Sequence, residues 1–321
     1  MLQEGRDFAI VNFSTFIRRM RKAGKLISEG KFKSVHYKLR LAMQRPMLYA
    51  KYNMIYLELC NHYRKFIDEH KCAFTHTGGG GHDNVIWWCW LQGIDDCPAI
   101  CKACLESLRH WYPEYKVIML DLQNIPNYIT LPNHITQKYE HGIISHAHYS
   151  DLVRLELLNN YGGAWIDSTV YVTGRKSEEL LRLPLFTFRE PDPNLWSIAP
   201  SWFMISDAHH PIISLTRDLM FRYWEENDSL VNYFLIYMMF KMAVKAYPDE
   251  WSRVPVVYEQ NMGMLREALF DEYSEEKVRK IEEASEIHKL TYQLNTKYYN
   301  PEGLPLSPSS VYQYLIDRYT K

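Results

Sequence analysis

The sequence predicts an α/β protein preceded by a basic, helical N-terminal region, and three observations carry that expectation. From about residue 85 onward, short apolar runs alternate with amphipathic helical stretches. The first seventy residues instead space apolar side chains by three and four. Between the two regimes stands Gly78-Gly79-Gly80-Gly81, which gives the chain no preferred conformation and marks a boundary. With 321 residues, 47% hydrophobic and 23% charged, the chain can bury a full core, as one large domain or two smaller ones.

The N-terminal region, residues 1–76, is expected to hold two to four helices, since Phe13, Phe16, Ile17 and Met20, then Ile55, Leu57, Cys60 and Tyr63, recur at helical spacing. Residues 1–71 carry 15 Lys and Arg against 6 Asp and Glu, a net +9 within a chain of net charge −1. Such a segment suits peripheral contact with an anionic membrane, although a solvated helical face accounts for the charge equally well. No run of 18 apolar residues occurs, and the first residues lack the basic flank and apolar core of a signal peptide. A cytoplasmic location, at the inner face of the membrane, is therefore expected, with no nucleic-acid partner. The six cysteines are expected to be free thiols.

The glycine run lacks the Lys-Ser/Thr of a phosphate-binding loop, and the next helix comes too late for one. After it, residues 85–90 and 116–121 read as strands joined by a helix over residues 98–111, a βαβ unit with parallel strands. Ile100, Cys104, Leu108 and Trp111 mark the helix face that packs on the sheet. Cys101 and Cys104 have redox or zinc spacing but no second pair, so core thiols are expected. A further helix is expected over residues 147–160, ended by Tyr161-Gly162-Gly163, then a strand over residues 164–172. Beyond that, strands near residues 185–188 and 202–205 and helices near 211–225, 229–246, 275–284 and 310–319 complete the pattern.

Chain geometry singles out residues 150–169. From Asp151 to Asn160 a helix advances about 14 Å, and from Gly163 to Asp167 a strand returns about 13 Å. Asp151 and Asp167 should therefore meet, with Arg154 on the same helical face as Asp151. That places one basic and two acidic groups at a strand end, where open α/β sheets bind ligands. An ordinary helical ion pair and a turn aspartate would look the same in sequence. His146, His148 and Asp151 could be imagined as a metal triad, but site lining or helix-start contacts suit them better. A phosphatase using Asp167 as nucleophile would need a second aspartate two residues on, where Thr169 stands.

The run Ser150-Asp151-Leu152-Val153-Arg154, followed by Tyr161-Gly162-Gly163-Ala164-Trp165-Ile166-Asp167-Ser168-Thr169, resembles the capsular polysaccharide synthesis proteins of glycosyltransferase family 32, relatives of the glycosylating toxins. Ile86-Trp87, Trp90-Leu91-Gln92-Gly93, Pro98, Cys104 and Ser107 are similar to the family's opening strand and helix, and residues 145–149 to its lead into the aspartate helix. Trp202-Phe203, Tyr233-Phe234-Leu235 and residues 287–292 resemble later blocks. These motifs cover roughly residues 84–295, leaving the first seventy outside and residues 296–321 as a tail packed on the catalytic domain.

The resemblance implies a GT-A type nucleotide-diphospho-sugar transferase fold, a Rossmann-like mixed sheet. It also implies transfer of a sugar from a nucleoside diphosphate sugar, UDP-linked in expectation, to a saccharide or lipid-linked oligosaccharide acceptor, with retention at the anomeric carbon. Asp151 and Arg154 inherit contacts with the donor's ribose and sugar. Asp167 matches the first carboxylate of a D-x-D motif that holds a divalent metal, Mn2+ or Mg2+, against the diphosphate, while the second position is Thr169, a neutral hydroxyl. Further donor or acceptor contacts are expected from Trp87, Gln92, Ser150, Tyr161, Gly163, Thr169, Trp202, Asn232, His288 and Lys289. Trp87 reads equally as a stacking platform or as core. The competing class is a non-catalytic sugar-nucleotide-binding or membrane-associated scaffold, distinguished by the absence of nucleoside diphosphate release. Asp167→Asn is expected to lower turnover with little effect on melting.

Overall fold

The computed structural model describes residues 28, 32–73, 81–190, 197–258, 261–296, 300 and 302–319. The expected periodicity at Phe13 to Met20 and the glycines at 78–80 lie outside them. The chain divides into two compact units, one of Met1–Leu48 with Gln293–Pro305 and one of Tyr49–Tyr292 with Leu306–Lys321. In the smaller unit, Asn300 closes a turn on Leu304 through two hydrogen bonds, of 2.9 and 2.8 Å.

The larger unit contains a mixed five-stranded sheet. β1 (Val85–Cys89) leads through α3 (Ala99–Trp111) to β2 (Lys116–Leu120), which pairs parallel with it, as the βαβ reading requires. α1 (Phe32–His62), which belongs to this unit from Tyr49 onward, and α2 (Arg64–Ala73) come before them, and α4 (Asn133–Glu140) and α5 (His146–Tyr161) after. β3 (Gly163–Ile166) then inserts parallel to β1, and β5 (Leu185–Thr187) and β6 (Phe203–Ser206) complete the order β2-β1-β3-β6-β5 with antiparallel pairings at β3–β6 and β6–β5. β3 is buried along its whole length, so its Ala-Trp-Ile run reads as continuous apolar sequence rather than alternating.

The glycine pair entering β3 is required by backbone geometry. Gly162 and Gly163 have φ of +68° and +91°, values L side chains rarely adopt. A Cβ on Gly162 would stand 2.7 Å from the Ser206 carbonyl oxygen, and one on Gly163 would stand 2.8 Å from that of Val85. The close approach of β3 to its neighbours depends on both hydrogens.

The expected strand over residues 164–172 is two strands. Asp167 donates its N–H to the Trp202 carbonyl at 2.9 Å, and its own carbonyl accepts from Val170 in a tight turn. β4 (Val170–Val172) thereby leaves the main sheet and pairs antiparallel with β7 (Ile287–Lys289). Turn chemistry at Asp167-Ser168-Thr169 overrides a run with continuous strand propensity.

α6 (Pro211–Glu226) and α7 (Leu235–Ala246) pack beside the sheet; α8 (Pro248–Ser252), α9 (Met264–Glu267), α10 (Glu275–Ala284) and α11 (Val311–Asp317) complete the α-helices among the described residues. α7 starts later than its apolar pattern suggests, because Asn232 Oδ1 accepts the Phe234 N–H at 2.8 Å and its carbonyl accepts from Leu235. Tyr56, Leu59 and Tyr63 of the N-terminal helical region are buried. Tyr63 donates to Glu226 at 3.1 Å, and His70 lies 3.2 Å from Asp218. The part of that region from residue 49 onward therefore packs with the larger unit. All six cysteines are free thiols, with Cys101 and Cys104 in the core.

Candidate active site

Helix α5 and strand β3 bring three charged side chains together at the carboxyl end of β3, as the chain arithmetic requires. Arg154 is buried between two carboxylates. Its Nη1 lies 3.1 Å from Asp151 Oδ1 and its Nη2 donates to Asp167 Oδ1 at 3.0 Å. Its guanidinium carbon stands 4.8 Å from the centre of the Trp165 ring, a cation–π distance. The contact with Asp151 lacks hydrogen-bond alignment, so Nε and Nη1 are buried donors without an acceptor. A buried donor left unpaired is costly.

The two aspartates titrate in opposite directions. Burial pushes Asp151 up to about 7, with Arg154 opposing and Asp167 adding to the rise. Asp167 is held below its ordinary value: burial acts to raise it, but Lys289, Arg154 and the Trp165 N–H together outweigh that. Trp165 Nε1 donates to Asp167 Oδ1 at 2.8 Å, a bond available because residues two apart share one face of a strand.

The fourth charge arrives from the second sheet. β7 pairs Lys289 with Val170, and Lys289 Nζ donates to Asp167 Oδ2 at 2.7 Å and to Thr169 Oγ1 at 2.8 Å. It stands 5.8 Å from the centre of the Trp202 ring. With Arg154 and Lys289 cationic, Asp167 anionic and Asp151 titrating near neutrality, the site carries net positive charge.

Asp167 and Thr169 do not fit a divalent metal in this arrangement. Both Asp167 oxygens already accept from cations, and the hydroxyl that replaces the second carboxylate accepts from the same ammonium. A divalent ion sharing those oxygens with Lys289 would be repelled by on the order of 10 kcal/mol at a separation of about 3 Å and an effective dielectric of about 20. Among the described residues, no three His, Cys, Asp or Glu side chains converge as a metal cage.

Several expected contacts lie elsewhere. Tyr161 and Gly163 stand at the opposite end of α5 and β3 from Asp151 and Asp167. Tyr161 is half exposed and donates its hydroxyl to the Tyr128 carbonyl at 2.6 Å, and Gly163 is a packing residue. Trp87 is buried and donates its indole N–H to the Gly162 carbonyl at 2.9 Å, so of its two readings the core one describes it. His288 is fully buried on the face of β7 away from Lys289, where its Nε2 lies 3.0 Å from Thr173 Oγ1 and burial pushes its pKa down to about 3. Strand alternation separates the two neighbours. Gln92 is exposed just beyond the end of β1, Ser150 is half-buried on α5, and Asn232 is the turn residue before α7. Trp202 is stacked on Phe188, with ring centres 5.1 Å apart, and supplies the carbonyl that binds the Asp167 N–H.

Other residues meet the charged cluster, Tyr237 among them without having been singled out in the sequence. His148, one turn before Asp151, is buried with Nδ1 3.8 Å from an Asp151 oxygen; both ring nitrogens lack a hydrogen-bond partner, and burial lowers its pKa. The exposed Tyr233 ring lies 5.3 Å from the His148 ring. Tyr237 feels Asp151, Arg154 and Asp167, and burial raises its phenol. The spacing of His148 and Trp165 from the two aspartates signals their positions, whereas nothing local to α7 points to Tyr237. A separate cavity of about 360 Å³, lined by residues including Asp207, His209, His210 and Glu250, lies at the other end of the sheet, where β6 ends.

Two solved structures show loose similarity. The PaToxG glycosyltransferase aligns with 15% identity and a TM-score of 0.40, over 73% of this chain and 94% of that one. The apo-form glycosyltransferase GlyE of Streptococcus pneumoniae aligns with 10% identity and a TM-score of 0.37, over 74% of this chain and 63% of that one. No curated protein matches in sequence. The family described as capsular polysaccharide synthesis protein matches residues 35–305. That span begins well before the quoted motifs and takes in most of α1 and all of α2, which the motif-based reading left outside. With most of its length matched, and with the Asp-Arg-Asp cluster inside the match, the chain belongs to the capsular polysaccharide synthesis protein family.

Proposed function

We propose that this chain is a sugar-nucleotide-dependent glycosyltransferase of the GT-A type, moving a hexosyl unit from a nucleoside diphosphate sugar, UDP-linked in the first instance, to a hydroxyl of a saccharide or lipid-linked oligosaccharide in surface polysaccharide synthesis. The observation that carries the reading is Arg154: a buried guanidinium, fixed by two carboxylates at a strand end, with two N–H donors lacking acceptors. Such donors, beside a second cation, suit the charge that develops on a departing diphosphate. In the transfer, the bond from the anomeric carbon to the β-phosphate oxygen breaks with its electron pair on phosphate. The acceptor oxygen forms the new bond, and its proton passes to the departing phosphate; attack on the same face gives retention. Asp151 accepts from hydroxyls of the donor, and Arg154 binds the donor as its charge grows. Trp202, Ser150 and Gln92 are assigned further contacts with donor or acceptor. The basic N-terminal region places the enzyme at an anionic membrane surface, close to a lipid-linked acceptor.

The test is release of free nucleoside diphosphate from a panel of sugar nucleotides, with and without saccharide acceptors. Wild type should turn over at least one donor. Asp167→Asn should lower that turnover at least tenfold, about 1.4 kcal/mol of transition-state stabilisation, when assayed below its melting temperature. No release from any donor, or full turnover by Asp167→Asn, would refute the assignment.

A further inference from the structure

The position at which a D-x-D motif would place its metal is filled by a side chain of this protein. Asp167 and Thr169, the two residues matching that motif, are bridged by Lys289 Nζ at 2.7 and 2.8 Å. The register of β4 with β7 fixes that approach, pairing Val170 with Lys289, and the Leu290 N–H donates to the Thr169 carbonyl at 2.8 Å. Charge balance supports the geometry. Two carboxylates and a divalent ion sum to zero; one carboxylate, one hydroxyl and one ammonium also sum to zero. Replacing the second carboxylate by Thr169 and supplying a single positive charge from Lys289 are thus matching changes, made 120 positions apart in sequence.

The ammonium remains able to serve a ligand. Lys289 is 22% exposed at its side chain, whereas Arg154 is 4% exposed. An ammonium has three donors, and Asp167 and Thr169 occupy two. The third is left for a phosphate oxygen.

We propose that Lys289 takes the place of the divalent metal, neutralising the diphosphate of the donor and of the departing nucleoside diphosphate, so that this chain binds and transfers without a metal ion. The inference rests on the glycosyltransferase reading. Lys289 moves no proton and forms no covalent bond; its charge is present before and after the C–O bond to phosphate breaks.

Isothermal titration of the full chain with UDP and other nucleoside diphosphates, in chelator and then in manganese, tests it without relying on turnover. Wild type should bind at least one of them in chelator, and manganese should change the affinity less than twofold. Lys289→Gln should lose at least tenfold in affinity. Thr169→Asp combined with Lys289→Gln, which rebuilds two carboxylates and removes the ammonium, should bind the same nucleotide only with manganese and alter the manganese paramagnetic resonance spectrum on binding. A tenfold loss of wild-type affinity in chelator overturns the role of Lys289 while leaving the glycosyltransferase reading intact. Failure of every nucleoside diphosphate to bind under either condition overturns both. Wild-type affinity in Lys289→Gln overturns the Lys289 role even if chelator has no effect.

Discussion

Arg154 is held by two carboxylates that answer to pH in opposite ways, and the difference is measurable. The pKa of Asp151 is raised to about 7 by burial, so between the ordinary carboxylate value and about pH 7 the unfolded chain gives up a proton that the folded chain keeps. Stability attributable to Asp151 is full below about pH 4 and falls as pH rises through 7. Asp151→Asn removes that dependence, so the melting temperature of the variant relative to wild type should rise by several degrees from pH 5 to pH 8; a gap that stays constant or shrinks would show that Asp151 is ionised throughout. Asp167 behaves differently. Because it accepts from Arg154, Lys289 and Trp165, its neutralisation leaves a buried guanidinium short of one partner. The sequence-level expectation that Asp167→Asn would spare melting therefore gives way to a loss of stability, since breaking a buried pair typically costs a few kcal/mol.

At the level of elements, the segment from α5 to β3 was legible because helix rise and strand rise are fixed quantities, and a helix returning into a strand must bring Asp151 and Asp167 to one level. What the same stretch concealed was the role of its turn. A motif containing Tyr161, Gly162 and Gly163 looks like site chemistry in sequence, yet in space it is the hinge that lets β3 pass within van der Waals contact of Val85 and Ser206. Gly163→Ala should therefore lower stability by about 2–4 kcal/mol, from strain at positive φ and a Cβ clash. In titrations below its melting temperature it should keep nucleotide affinity within twofold of wild type. A normal melting temperature with weakened nucleotide binding would return Gly163 to the site. The strand break after Ile166 was hidden for a related reason: Val170-Tyr171-Val172 has full strand propensity, and only hydrogen bonds to distant residues reveal that it belongs to another sheet.

Across the whole molecule, positions far apart in sequence settle what local pattern cannot. Lys289 meets Asp167 across 122 positions, and no periodicity near either residue announces the meeting. The N-terminal charge is similar: composition gives its sign, and the structure adds that Met54 and Leu57 of α1 are each 63% exposed. With exposed Ala50 they follow one another at spacings of four and three, an apolar stripe on a basic segment. Among the described residues no helix is long and apolar enough to cross a membrane. Replacing both Met54 and Leu57 by Glu should reduce sedimentation with anionic vesicles several-fold and leave nucleotide affinity unchanged; undiminished sedimentation would remove the stripe from membrane contact. Deleting residues 1–71 is unsuitable for this purpose, because Tyr56, Leu59 and Tyr63 belong to the core. The bridge from Lys289 to Asp167 also bears on synthesis of the chain. All five strands of the main sheet have been made once Ser206 has left the ribosome, whereas the ammonium that balances Asp167 is still untranslated. Until residue 289 emerges, the nascent site lacks one of its two cations, so a prematurely terminated product can carry every strand of that sheet and still leave Asp167 without its ammonium partner.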